Sequence, residues 1–152
     1  MSTSVDQILL KMMKSIDIFD SVPDDKLLEL AKSFNLGFYQ FGHKIIQQWE
    51  KPKYIYILKN WELEARKSDW FSSKVLWKIL PGEAFGEMSY FRNQTASANV
   101  LVTKDSDIRE IPVDLFSDFL NNYPKIKEKM IHIMNERDKK NKEYNHFDNQ
   151  QN

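Results

Sequence analysis

Gly86 and Glu87 stand in the stretch of this chain best equipped for chemistry, Pro81-Gly82-Glu83-Ala84-Phe85-Gly86-Glu87-Met88-Ser89, followed by Thr95-Ala96-Ser97-Ala98-Asn99-Val100. A glycine lets a ligand approach the main chain, because no Cβ stands in the way. The residues after it read as the first turn of a helix, whose leading amides have no intrahelical acceptor and suit an anion. A carboxylate beside that glycine accepts hydrogen bonds from a sugar hydroxyl. These are parts for holding a sugar phosphate. They do not form a catalytic apparatus.

Other chemistry-bearing residues give weaker signals. His43, His132 and His146 lie far apart, and none has a second ligand at metal-binding spacing. Glu83 and Glu87 suggest an acid–base pair, yet Glu83 lies in a turn with no reason to face Glu87. No Gly-x-Ser-x-Gly elbow frames a nucleophile. The chain of 152 residues has no cysteine, which removes disulfides and thiolate chemistry and fits a reducing compartment. Lysine plus arginine and aspartate plus glutamate both number 22, so the global field favours neither nucleic acid nor an anionic membrane as partner. Neither a signal peptide nor a membrane span is expected, since Lys11 interrupts the apolar run Ile8-Leu9-Leu10. A soluble, cytoplasmic protein is the plain expectation.

The elements that position the cassette follow from hydrophobic spacing. Ile8, Leu9, Met12, Met13 and Ile16 predict a short amphipathic helix within residues 1–17. Pro23-Asp24-Asp25 opens a second helix with Leu27, Leu28, Leu30 and Ala31 as its buried stripe, and Gly37 is expected to end it. From Phe38 to Pro112 short runs rich in β-branched and aromatic residues alternate with turn residues. Ile45-Ile46, Tyr54–Leu58, Glu62–Arg66, Val75–Leu80, Asn99–Thr103 and Ile108–Ile111 read as strands, and their close spacing favours a barrel or sandwich. The helical period returns with Leu115, Phe116, Phe119 and Leu120, breaks at Tyr123-Pro124, and resumes with Ile126, Met130, Ile133 and Met134. From residue 137 to 152 the chain is polar, the expectation being a frayed helix end and a disordered tail. The fold class is α+β, mainly β: helix, barrel, helix, with the main domain over residues 18–136.

The residues just quoted resemble the cyclic nucleotide-binding domain family, found in catabolite activator proteins and protein kinase A regulatory subunits. Phe85, Gly86, Glu87, Met88, Ser89, Ser97, Ala98 and Val100 match its phosphate-binding cassette, and the likeness spreads over about Ile18 to Met134. It includes Gly42-His43-Lys44-Ile45-Ile46 and a hairpin from Tyr54 to Glu62. The resemblance implies a jelly-roll barrel with cyclic AMP or cyclic GMP as ligand. It assigns backbone contacts to Gly86, Met88 and Ser89, the ribose to Glu87, and a phosphate-directed hydroxyl to Ser97. Ala96 stands where the family places an arginine. A charge-assisted hydrogen bond contributes about 1.5–3 kcal/mol. Its loss weakens a phosphodiester ligand about ten- to several-hundred-fold, and it leaves Glu87 without a compensating cation. Arg92 is the substitute candidate, with a solvated loop residue as the plainer reading.

Two family glycines are replaced by Trp49 and Trp61, and the expectation is that these turns have changed geometry. Trp49, Trp61 and the Trp70-Phe71 pair at a hairpin tip are expected to fold back and cap the barrel. Clustered and exposed, they would mark a contact surface. Trp77 reads as core. The resemblance implies a regulatory or sensory module without catalysis or a resident cofactor. The alternative is a ligand-free interaction domain that docks a protein partner, or a second copy, through the terminal helix or the tryptophan turns. Too few residues follow Met134 for a helix-turn-helix, so neither DNA nor a membrane is an expected partner.

Overall fold

The computed structural model describes residues 3–151. Helix α1 (Thr3–Lys14) leads into a single 3-10 turn at Asp17–Phe19 and helix α2 (Asp24–Ala31). The strands follow as β1 (Asn35–Tyr39), β2 (Lys44–Ile46), β3 (Tyr54–Leu58), β4 (Leu63–Ser68), β5 (Ser73–Ile79) and β6 (Ala84–Phe85). Helix α3 (Glu87–Arg92) interrupts them before β7 (Asn99–Val102) and β8 (Ser106–Pro112). Helices α4 (Val113–Asn122) and α5 (Pro124–Gln151) complete the fold.

Among the described residues the strands form two antiparallel four-stranded sheets, ordered β1-β8-β3-β6 and β2-β7-β4-β5. Strands adjacent in sequence thus mostly lie in opposite sheets, the jelly-roll arrangement. Tyr54 to Glu62 is accordingly no hairpin: β3 and β4 belong to different sheets, and the link between them crosses the barrel edge. The paired hairpin is β4 with β5, and Trp70-Phe71 sits at its tip, as the sequence predicts.

Strand β3 explains why the fold holds together. Its residues Tyr-Ile-Tyr-Ile-Leu are almost continuously buried because both faces are covered. Ile55 and Ile57 join a helical core with Met13, Phe19, Leu27, Phe116 and Met130. Tyr56 and Leu58 point the other way, into a barrel core with Leu63, Phe85, Val100 and Ile108. Burial of such side chains contributes about 1.5–3 kcal/mol each, so this strand ties the helices to the barrel.

Three sequence expectations change here. Gly37 does not end α2. It sits inside β1 opposite Ile108, where an added Cβ would lie 2.9 Å from the Tyr39 ring and 3.1 Å from Glu110 Oε1. The glycine makes room for the Tyr39 hydroxyl to donate to Glu110 at 2.6 Å. Second, the segment after Glu136 continues as helix α5 to Gln151, in place of a frayed, disordered tail. Its apolar stripe packs on the helical core through Met130 and Met134, with Ile126 and Ile133 beside them. Third, the tryptophans do not cap the barrel: Trp49, Trp61 and Trp70 are exposed together with Phe71, and Trp77 is 53% exposed rather than core.

Candidate functional site

The cassette is built on a chain reversal after β6. Gly86 has φ +85°, a left-handed conformation that costs an ordinary L-residue about 1–2 kcal/mol, and it caps the start of α3. A Cβ here would also approach the Tyr54 carbonyl oxygen to 3.1 Å. Beside it, the Phe85 ring stacks on Tyr56 at 4.8 Å between centroids, anchoring β6 to β3. The far end of the cassette is fixed by reciprocal main-chain bonds. The Ala96 amide donates to the Glu50 carbonyl at 2.8 Å, and the Trp49 amide donates to Ala96 at 2.9 Å.

Between these anchors lies an open cavity of about 270 Å³. It brings together all the residues singled out in the sequence: Phe85, Gly86, Glu87, Met88, Ser89, Arg92, Ser97 and Ala98. Its barrel side is apolar, formed by Ile46, Ala65, Ile79 and Val100, and Trp77 stands among these with half its surface exposed. Sequence reasoning missed Trp77 as a cavity residue. Strand β5 is a sheet edge, and its register against β4 shifts between Ala65 and Arg66, so period-two counting cannot place its side chains. Ala96 also lines the cavity, where it leaves no cation.

Glu87 is 6% exposed. Burial pushes its carboxyl above the ordinary value of 4.5, while its own amide and Arg137 pull it down. Arg137 is the residue that sequence reasoning did not find. From α5 its Nη1 donates to Glu87 Oε1 at 3.0 Å, and its Nε donates to Asp17 Oδ2 at 3.3 Å. Glu87 therefore has a compensating cation, against expectation, supplied by the terminal helix. Met130, Met134 and Arg137 share one helix face at i, i+4 and i+7, which was the available signal. The second carboxylate oxygen, Oε2, is buried without a protein partner among the described residues.

Arg92 is already engaged. It lines the cavity and forms an ion pair with Asp138 of α5 through Nη2, with Nε donating at 3.2 Å. It is thus a solvent-exposed side chain, at the end of α3 rather than in a loop, and it is shared with Asp138. Glu83 serves its own turn, where its Oε1 accepts the Leu80 amide at 2.6 Å, and it makes no pair with Glu87. No cluster of three or more metal-ligating side chains occurs among the described residues.

Known proteins share this architecture. A cAMP-dependent protein kinase regulatory subunit from Mycosarcoma maydis is 23% identical over 108 residues, covering 71% of this chain and 21% of that protein. The chain therefore spans about a fifth of that relative's length. Among solved structures, the regulatory domain of Toxoplasma gondii PKA with cAMP aligns with a TM-score of 0.74 at 20% identity, over 78% of this chain and 46% of that one. A regulatory subunit of a cAMP-independent protein kinase A from Trypanosoma brucei aligns with a TM-score of 0.67 at 17% identity, over 85% and 48%. The fold is shared in both cases. The profile of the cyclic nucleotide-binding domain matches residues 37–123, from β1 through α4, which include the whole cassette. That match covers more than half of the 152 residues, and the chain belongs to the cyclic nucleotide-binding domain family.

Proposed function

We propose that this domain is a non-catalytic regulatory receptor that takes a cyclic nucleotide, or a related sugar phosphate, into the cavity beside α3. The observation that carries the reading is the open hollow bordered by Gly86–Ser89, beside which the second Glu87 carboxylate oxygen is buried without a partner. A buried acceptor without a donor is costly, and a ribose hydroxyl is the donor that relieves it. Gly86, Met88 and Ser89 offer main-chain contacts, Ser97 offers a hydroxyl, and the apolar barrel wall with Trp77 receives the base. Affinity is low, because Ala96 contributes no charge and Arg92 is shared with Asp138.

A second reading has its own support. The exposed Trp49, Trp61, Trp70 and Phe71 favour an interaction module that keeps the barrel without the ligand. A protein partner or second copy would dock there or along α5.

Calorimetric titration with cyclic AMP and cyclic GMP separates the two. The receptor reading expects heat at micromolar to submillimolar nucleotide, lost in Glu87→Ala and accompanied by a change in Trp77 emission. Ala96→Arg restores a charge-assisted contact of about 2 kcal/mol and tightens binding about thirtyfold. No heat up to millimolar nucleotide in either protein removes the receptor reading for these ligands and leaves the interaction module.

A further inference from the structure

The β4–β5 hairpin ends in two aromatic side chains that touch almost nothing: Trp70 is 95% exposed and Phe71 is 98% exposed. Such exposure is unfavourable in water, and the tip is nevertheless held in one shape. Asp69 Oδ1 accepts the amides of Phe71 and Ser72, each at 2.8 Å, so the turn is locked with its rings directed outward. These bonds also lower the Asp69 carboxyl below its ordinary value, so it stays ionised and sets one negative charge at the tip against the lysines behind it.

Behind the tip stand Lys67 and Lys74, paired directly across the two strands. Like charges in that register repel one another. Neither lysine enters an ion pair among the described residues, whereas the neighbouring Arg66 is neutralised by Glu64 at 2.9 Å. Trp49 belongs to the same end of the molecule, because the preceding Gln48 accepts the Ser68 amide at 2.9 Å through its side chain.

We propose that this hairpin is a docking tip for an anionic lipid bilayer, with Trp70 and Phe71 entering the headgroup boundary and Lys67 and Lys74 contacting acidic headgroups. Shape and charge decide for lipid over protein. Two rings projecting fully into solvent suit a fluid interface, which receives them without a preformed pocket. Tryptophan favours that boundary, where its ring is apolar at one edge and polar at the other. The balanced net charge of the chain gives no long-range pull towards an anionic surface, so attraction is confined to this basic collar and the contact is reversible. The proposal stands apart from nucleotide binding, since the cassette takes no part in it.

Co-sedimentation of the full chain with vesicles provides the test, comparing phosphatidylcholine alone with phosphatidylcholine containing about a third phosphatidylserine at ~0.1 M salt. The chain is expected to partition onto the acidic vesicles and only weakly onto the neutral ones. A pair of lysine reversals, Lys67→Glu with Lys74→Glu, removes that preference, each lysine accounting for about fivefold. Trp70→Ser with Phe71→Ser lowers binding at least tenfold and leaves the melting temperature unchanged, because neither ring is packed. The tryptophan emission shift on vesicle addition disappears in Trp70→Phe. Equal binding to both vesicle types, no binding to either, or retained binding in the Trp70 and Phe71 double variant overturns the proposal. So does capture of an acidic protein by this hairpin when vesicles remain unbound.

Discussion

Glu87 holds a carboxylate where water is scarce, with one oxygen on Arg137 and the other unpartnered. Burial dominates and raises its folded pKa above the unfolded value. The sign of the linkage follows. A raised folded pKa means the native state binds a proton more readily, so the associated stability is full below the ordinary value of 4.5 and is lost as pH rises through the raised value. Glu87→Gln removes this titration. Relative to wild type, the variant's melting temperature is expected to improve as the pH moves from about 4.5 to 7. A constant difference across that range would show that the carboxylate is as well solvated folded as unfolded.

At the scale of elements, the two tryptophan turns hold a left-handed backbone of the kind glycine favours. Trp49 has φ 76° and Trp61 has φ 73°, so neither turn relaxes into a conformation ordinary for tryptophan. The surrounding hydrogen bonds explain this. The Trp49 peptide is locked by the Ala96 exchange, and near Trp61 the Lys59 amide donates to Asp107 at 2.9 Å. Each tryptophan thus carries about 1–2 kcal/mol of strain, of which glycine's greater unfolded freedom takes back about 0.5–1 kcal/mol. Trp49→Gly is expected to raise stability by about 0.5–1 kcal/mol in denaturant titration. Trp61→Gly gains less, because Lys104 lies 5.3 Å over its ring. A fall in stability for Trp49→Gly would mean that the exposed ring contributes packing that outweighs the strain.

Across the whole molecule, α5 acts as a strap from the helical core to the cassette. Met130 and Met134 bury its middle, Arg137 joins Glu87 to Asp17, and Asp138 holds Arg92. The cassette and the terminal helix are thereby one electrostatic unit. Removing Arg137 strands a buried carboxylate. Arg137→Ala is expected to cost about 1–3 kcal/mol in chemical denaturation, with the loss shrinking at acid pH as Glu87 protonates. The more exposed Arg92→Ala should cost under about 1 kcal/mol. Equal costs for the two would place the stabilising contact elsewhere on α5.

Much of this was legible along the chain. The continuous apolar run of Tyr54–Leu58, the helical spacing of Leu27–Ala31 and Phe116–Leu120, and the Phe85–Ser89 run specify local structure through nearest neighbours, and so they determined the fold and located the cassette. Contacts between residues far apart in sequence were not legible. The bond from Arg137 to Glu87 spans 50 positions, Arg92 to Asp138 spans 46, and nothing local to either partner announces the other. Trp77 and the hairpin aromatics were misplaced for a related reason. Hydrophobicity tells a side chain what it prefers, but whether another element arrives to cover an edge strand is settled only when the two sheets close, and over β5 none does.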